Sequence, residues 1–334
     1  MSEPSLPIPS STLEYFHALP QPEERAPRER YWLHALLLLV TCFTTLVVGA
    51  SMEFSFLYNL PPFAAGEEFL PFFRIGWIIA HPARLLLGLP FSATLLGILL
   101  AHEMGHYLFC RFYHVDATLP FFIPAPTLIG TLGAVIRIKA PIRSRAALFD
   151  IGIAGPISGF VTALIALAVA LNLSKPLAPG MGASDLQLGF PPIFYFMHRL
   201  LAVVAPNHAI AHITMRRIYL HPTAVAAWVG MYATALNLLP SGQLDGGHIV
   251  YALWPRAHRV VSWITVIGLI ILGRMNTGWR LWAALILVMN IITSRQRQAP
   301  IYPQLPRSRW PLALFALVML VLTLTISPFQ ISWR

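Results

Sequence analysis

One apolar stretch of the chain carries His102, Glu103, Met104, Gly105 and His106 in a row. Residues four apart share a face of a helix, so the two imidazoles point the same way and can grip one zinc ion. Glu103 stands one step round, where it can reach a water on the metal and serve as its general base. Zinc lowers the pKa of such a water to about 7, which opens hydrolysis at neutral pH. The competing reading is a pair of histidines that merely pack. It fits poorly, because ionisable residues in a membrane span are costly and are kept for function.

A catalytic zinc takes three protein ligands and leaves one position open. No glutamate follows Glu103, so a downstream Glu ligand is excluded. The longer motif HExxHxxGxxH fails as well, since Phe109 and Phe112 occupy its Gly and third His positions. The downstream carboxylates are Asp116, Asp150, Asp185 and Asp245. Asp116 closely follows the end of the histidine helix. Asp150 opens the next apolar span, where a helix N-terminus favours negative charge. Asp185 lies in a polar loop. Asp245 belongs to the stretch Asn237–Gly247, where Pro240, Gly242, Gly246 and Gly247 break a helix and permit close backbone approach. A carboxylate on such a turn can reach a neighbouring helix.

The elements that must position these groups are set by the bulk composition. Only 11% of the 334 residues are charged and 57% are hydrophobic. A soluble domain carries about 25% charged residues, so much of this surface faces lipid. About 20 apolar residues cross a bilayer, and the pattern predicts spans at Tyr31–Met52, Phe91–Tyr113, Ala147–Leu171, Pro222–Leu239, His258–Leu272, Trp279–Thr293 and Trp310–Ser327. The fifth and sixth are short, so the expectation is an all-α polytopic membrane protein with about six to seven transmembrane helices. Residues 1–30 hold six prolines and mixed charge and read as a disordered tail. Residues 31–334 read as a single integral-membrane domain.

Three apolar stretches differ from plain spans. Leu70–Leu89 is interrupted by Arg74, His81, Pro82 and Arg84 and reads as lying on the membrane surface. Leu186–Ala205 reads as a surface helix, and Asn172–His221 shows no strand pattern. Leu119–Ala140 ends in the alternating run Ala134-Val135-Ile136-Arg137-Ile138-Lys139, which is strand chemistry. Open strands cannot face lipid. This segment is therefore expected as a re-entrant β-hairpin near the zinc site, able to take an unwound substrate as an extra strand.

At the two motifs the chain resembles the site-2 protease family of intramembrane zinc metalloproteases. His102–His106 matches HExxH and Asn237–Gly247 matches NxxPxxxLDGG. Leu119–Pro124 and Ala154-Gly155-Pro156 resemble the branch with chloroplast and cyanobacterial members. The resemblance implies one zinc per chain held by His102, His106 and Asp245, with Glu103 catalytic and Asn237 positioning substrate or stabilising the oxyanion. A carboxamide beside the metal is a suitable donor to developing negative charge. Many family members carry a PDZ domain between core spans, and Asn172–His221 is too short for one. His248, next to the second motif, reads as a packing residue, with a contact to the site as the alternative.

The expected activity is hydrolysis of peptide bonds in membrane-spanning substrates. A metal transporter using the same histidines and a catalytically inactive substrate-binding relative are the alternatives, and neither needs Glu103. The net charge of +10 resides in short connections between spans, which argues topology and not nucleic-acid binding. With the N-terminus cytoplasmic and seven alternating spans, fourteen of the Lys and Arg residues fall on the cytoplasmic side and nine on the other. This predicts a multi-pass protein of a bacterial inner membrane or its equivalent, with the active site nearer the cytoplasmic face. Cys42 and Cys110 lie in apolar runs and read as small buried hydrophobes.

Overall fold

The computed structural model describes residues 30–61, 63, 73–142, 144–179, 186–294 and 304–331. The expected N-terminal tail, Asp185 and Arg143 lie outside them.

The frame of the molecule is helical. Helix α1 (Tyr31–Leu57) is followed by a short α2 (Ile75–Ala80) and a 3₁₀ segment Pro82–Gly88 that runs into α3 (Leu89–Phe112). Pro90 near the start of α3 is tolerated because the first helical N–H groups have no intrahelical partner. Helix α4 (Arg145–Leu173) starts at Ser144, whose side chain accepts from Ala147 N. Then come α5 (Pro192–Val204), α6 (Pro222–Asn237), α7 (Asp245–Leu253), α8 (Pro255–Leu272), α9 (Gly278–Ser294) and α10 (Trp310–Thr323).

Among the described residues, α1, the 3₁₀ segment with α3, α4 and α8 are long and apolar enough to cross a membrane. Helices α6, α9 and α10 are apolar but shorter. This is the all-helical polytopic fold expected from composition. The last span differs in length: α10 ends at Thr323, because the β-branched Thr325 and Ile326 and then Pro328 favour extended chain.

Helices α3, α4 and α6 form the centre. Helix α6 is buried on nearly every face, including Trp228, Met231 and Ala235. Small residues let helices approach closely where lipid removes the usual hydrophobic drive. The outward faces of α4, α8 and α9 keep Ile165, Val169, Ile267, Ile271 and Leu281 exposed, as a lipid-facing surface requires.

Leu119–Ala140 folds as the expected hairpin. Strand β1 (Phe121–Pro124) pairs antiparallel with β2 (Thr131–Val135), and a bridge joins Ala117 to Ile138. Gly130 allows the reversal through its φ of +78°. Arg137 and Lys139 turn their backbone groups toward the Asp116–Thr118 side. By strand alternation Ala134, Ile136 and Ile138 turn theirs the other way.

Two expectations are corrected. The Asn172–His221 connection does contain strands: β3 (Lys175–Pro176) pairs with β5 (Ile218–Tyr219), and β4 (Leu186–Leu188) pairs with the C-terminal β6 (Phe329–Ile331). Strands of two or three residues are too short for alternation to register in a sequence. Leu186–Ala205 is a helix only from Pro192 to Val204. The described part of Leu70–Leu89 forms α2 and the 3₁₀ segment, which meet at the break before Pro82.

Candidate metal centre

The two motifs meet at the crossing of α3, α4 and the turn between α6 and α7. His102 and His106 are buried on one face of α3. Their Nε2 atoms lie 3.2 Å apart. Asp245, the first residue of α7, places its Oδ2 3.2 Å from His102 Nε2 and 3.4 Å from His106 Nε2. A tetrahedral zinc about 2.0–2.1 Å from each of three ligands sets them about 3.3 Å from one another, so this triangle has the size a zinc ion needs. Asp245 Oδ2 is buried and has no hydrogen-bond donor. A buried carboxylate oxygen between two imidazole nitrogens, without a proton to share, is explained by a cation among them. Among the described residues this is the one cluster of three or more His, Cys, Asp or Glu side chains that could hold a metal.

The orientation of His106 is fixed from behind. Its Nδ1 lies 2.7 Å from the carbonyl of Ile151 on α4. A carbonyl only accepts, so Nδ1 carries the proton and Nε2 presents its lone pair to the cluster. The helices must come very close for this bond. A Cβ at Gly155 would lie 2.1 Å from His106 Nε2, and one at Gly159 would lie 3.0 Å from His102 Nδ1. The glycines of α4 are thus the wall against which both imidazoles stand. Ser158 pins the same crossing by donating to Ala101 O at 2.8 Å.

Glu103 is buried, and its Oε2 accepts from Ile136 N of the hairpin at 2.9 Å. Asn237 ends α6, with its Nδ2 3.2 Å from His102 Nε2. A cavity of about 260 Å³ joins these groups. It is lined by His102, Glu103, His106, Asn237 and Asp245 on one side and by Ala134, Val135, Ile136 and Ile138 of the hairpin on another. Gln243 and His248 border it too, so His248 contacts the site and does not only pack. A larger cavity of about 1150 Å³ lies around Pro222 and Val225, at the opposite end of α6, and contains none of these groups.

The structure thus gathers every residue singled out in the two motifs. Asp116 stands apart from the cavity, with its carbonyl bound to Lys139 N. Asp150 is no simple helix-terminal charge. It is the sixth residue of α4 and accepts from the Tyr113 hydroxyl and from Arg309, whose Nη2 lies 2.9 Å away. Hydrogen bonding to Asp150 pushes the Arg309 guanidinium further up. A lone carboxylate in an apolar run was a readable signal for a partner. Nothing in the sequence pointed to Arg309.

A helical membrane protein with a His–His–Asp cluster, a buried glutamate beside it and a strand at its rim has the layout of a membrane-embedded metallopeptidase. The model of peptidase family M50 matches residues 90–273, more than half of the chain, and the chain belongs to that family, the site-2 proteases. It is 31% identical over 269 residues to the probable zinc metalloprotease EGY1, chloroplastic, of Oryza sativa subsp. japonica, covering 78% of this chain and 44% of the relative. It is 29% identical over 313 residues to the Arabidopsis thaliana protein of the same name, covering 89% and 53%. It is also 31% identical over 250 residues to the probable zinc metalloprotease EGY3, chloroplastic, of Oryza sativa subsp. indica, covering 70% and 42%. The chain spans about half the length of these curated relatives.

Proposed function

We propose that this chain is an intramembrane zinc endopeptidase that hydrolyses peptide bonds of membrane-spanning substrates. The observation that carries the proposal is the triangle of His102, His106 and Asp245 donor atoms, with Glu103 and Asn237 opening on the same cavity. In this reading those three residues hold one zinc per chain. A bound zinc supplies Lewis acidity and a water of lowered pKa.

The chain's own residues do the rest. Glu103 takes the proton of the attacking water and returns it to the leaving amine. Asn237 offers its amide N–H to the oxygen of the scissile carbonyl as negative charge develops there. The Ile151 carbonyl keeps the His106 ring turned inward. Apolar hairpin residues narrow the cavity and limit bulk water.

A transmembrane helix hides its carbonyls in its own hydrogen bonds, so it must unwind before attack. Unpaired backbone groups in an apolar setting cost several kcal/mol each. The backbone groups of Ala134, Ile136 and Ile138 face away from β1, and Ile136 N–H already points at Glu103. An extended substrate segment pairing along this edge lies beside the general base. Proline at Ala134 or Ile138 removes an N–H on that edge. Cleavage is expected to fall at least about tenfold at these positions, while zinc content and folding persist. Unchanged cleavage at both would remove the edge from the mechanism.

We further infer that the protein sits with its N-terminus cytoplasmic and the cavity nearer that face, in a bacterial inner membrane or its equivalent. Residues 31–334 act as one domain. The function is tested with purified protein in liposomes carrying a membrane-spanning substrate. Cleavage that a chelator abolishes and zinc restores supports it; zinc accumulation in the lumen without cleavage would establish the transporter instead. In the same vesicles, a cysteine at Arg256 reports the side, since labelling from the non-cytoplasmic face would overturn the orientation.

A further inference from the structure

The metal-centre geometry depends on the axial register of α3 against α4. The His106–Ile151 bond, the seat of His106 against Gly155 and that of His102 against Gly159 all lie along this one crossing. Slide one helix along the other by an ångström and all three change together. Apolar packing alone resists such a slide weakly, because it is not directional. Two polar pins resist it directionally. One is the Ser158 hydroxyl on the Ala101 carbonyl, before the histidine pair. The other, beyond it, is the Tyr113 hydroxyl on the Asp150 carboxylate.

The second pin has a third member. Arg309, in the turn before α10, reaches Asp150 with both arms of its fork: Nη2 lies 2.9 Å from Oδ2 and Nε 3.3 Å from Oδ1. A two-armed guanidinium fixes a carboxylate in position and in plane, which a point charge does not. Asp150 is 8% exposed, so the carboxylate end of the pair is buried, while the Arg309 side chain stays partly open to the surface. The residue after Asp150 is Ile151, whose carbonyl holds His106. Arg309 lies outside residues 90–273, the part of the chain matched by the family model.

We propose that Arg309 is a positioning residue for the metal: through Asp150 it locks the turn of α4 that carries the Ile151 carbonyl, and so sets how firmly His106 holds zinc. The inference rests on the reading of His106 as a ligand. It acts on the metal through Asp150 and Ile151, with no contact to substrate or ion.

Outer partners of a metal ligand typically alter metal affinity about 10- to 100-fold. The full-length protein is loaded with zinc in detergent, and zinc release to a chromogenic chelator is followed. Arg309→Gln is expected to release zinc at least about tenfold faster, and Arg309→Lys to fall between it and the parent. Tyr113→Phe is expected to change release in the same direction. Arg307→Gln, at an exposed neighbour, is expected to match the parent. Substituting cobalt gives a second reading: its ligand-field bands shift in Arg309→Gln if the His106 geometry changes. A merely structural Arg309 would lower the melting temperature and leave release per folded molecule and the cobalt bands unchanged. That result in Arg309→Gln and Tyr113→Phe would overturn the proposal. A parent protein that binds neither metal would instead refute the ligand reading of His106.

Discussion

Glu103→Gln is expected to lower cleavage of a membrane-spanning substrate by about 10²- to 10⁴-fold and to leave zinc bound. Gln has the shape of Glu, and its carbonyl oxygen can still accept the Ile136 N–H that Glu103 accepts at 2.9 Å. The fold and the hairpin contact therefore have no reason to change. What Gln lacks is a carboxylate able to take a proton from water. His102, His106 and Asp245 form the donor triangle without Glu103, so metal content should not follow activity. Cleavage in liposomes and zinc per chain, measured on one preparation, separate the roles. Zinc lost in step with cleavage would make Glu103 a ligand.

The second large effect is steric. Gly155→Ala puts a methyl 2.1 Å from His106 Nε2 and 2.5 Å from two ring carbons. The ring cannot swing away freely, because its Nδ1 is tied to Ile151 O of the same helix α4. Either that bond breaks or α3 and α4 part. Zinc affinity is expected to fall at least about tenfold, and cleavage with it. Gly97→Ala, on the facing helix α3, is the control: its Cβ would meet nothing within 4 Å, and Ala is the better helix former. Equilibrium zinc binding of both variants decides the matter. Parent-like binding in Gly155→Ala would show that the crossing is looser than its geometry implies.

The helix spacing of His102 and His106 was legible in the sequence because a helix puts i and i+4 on one face whatever surrounds it. The broken turn at Pro240–Gly247 was legible for a similar local reason. The hairpin could be read from β-branched alternation at Ala134–Lys139. What failed to show was long-range. Arg309 meets Asp150 across 159 positions, and no local pattern encodes that. The same holds for β4 with β6, which join Leu186–Leu188 to the chain's last described residues. The Ala154-Gly155-Pro156 run resembled the family. Its purpose lies in the seat of His106 against Gly155 of α4, and a glycine announces freedom or closeness without naming the neighbour.

In the proposed site, three residues from two distant motifs hold one zinc. Zinc per chain in purified Asp245→Ala, after exchange against a moderate chelator, tests it most directly. The parent is predicted to retain one zinc and Asp245→Ala close to none, with its melting temperature showing that the protein is still folded. Asp245→Ala retaining a full zinc, with cleavage intact, would contradict the claim.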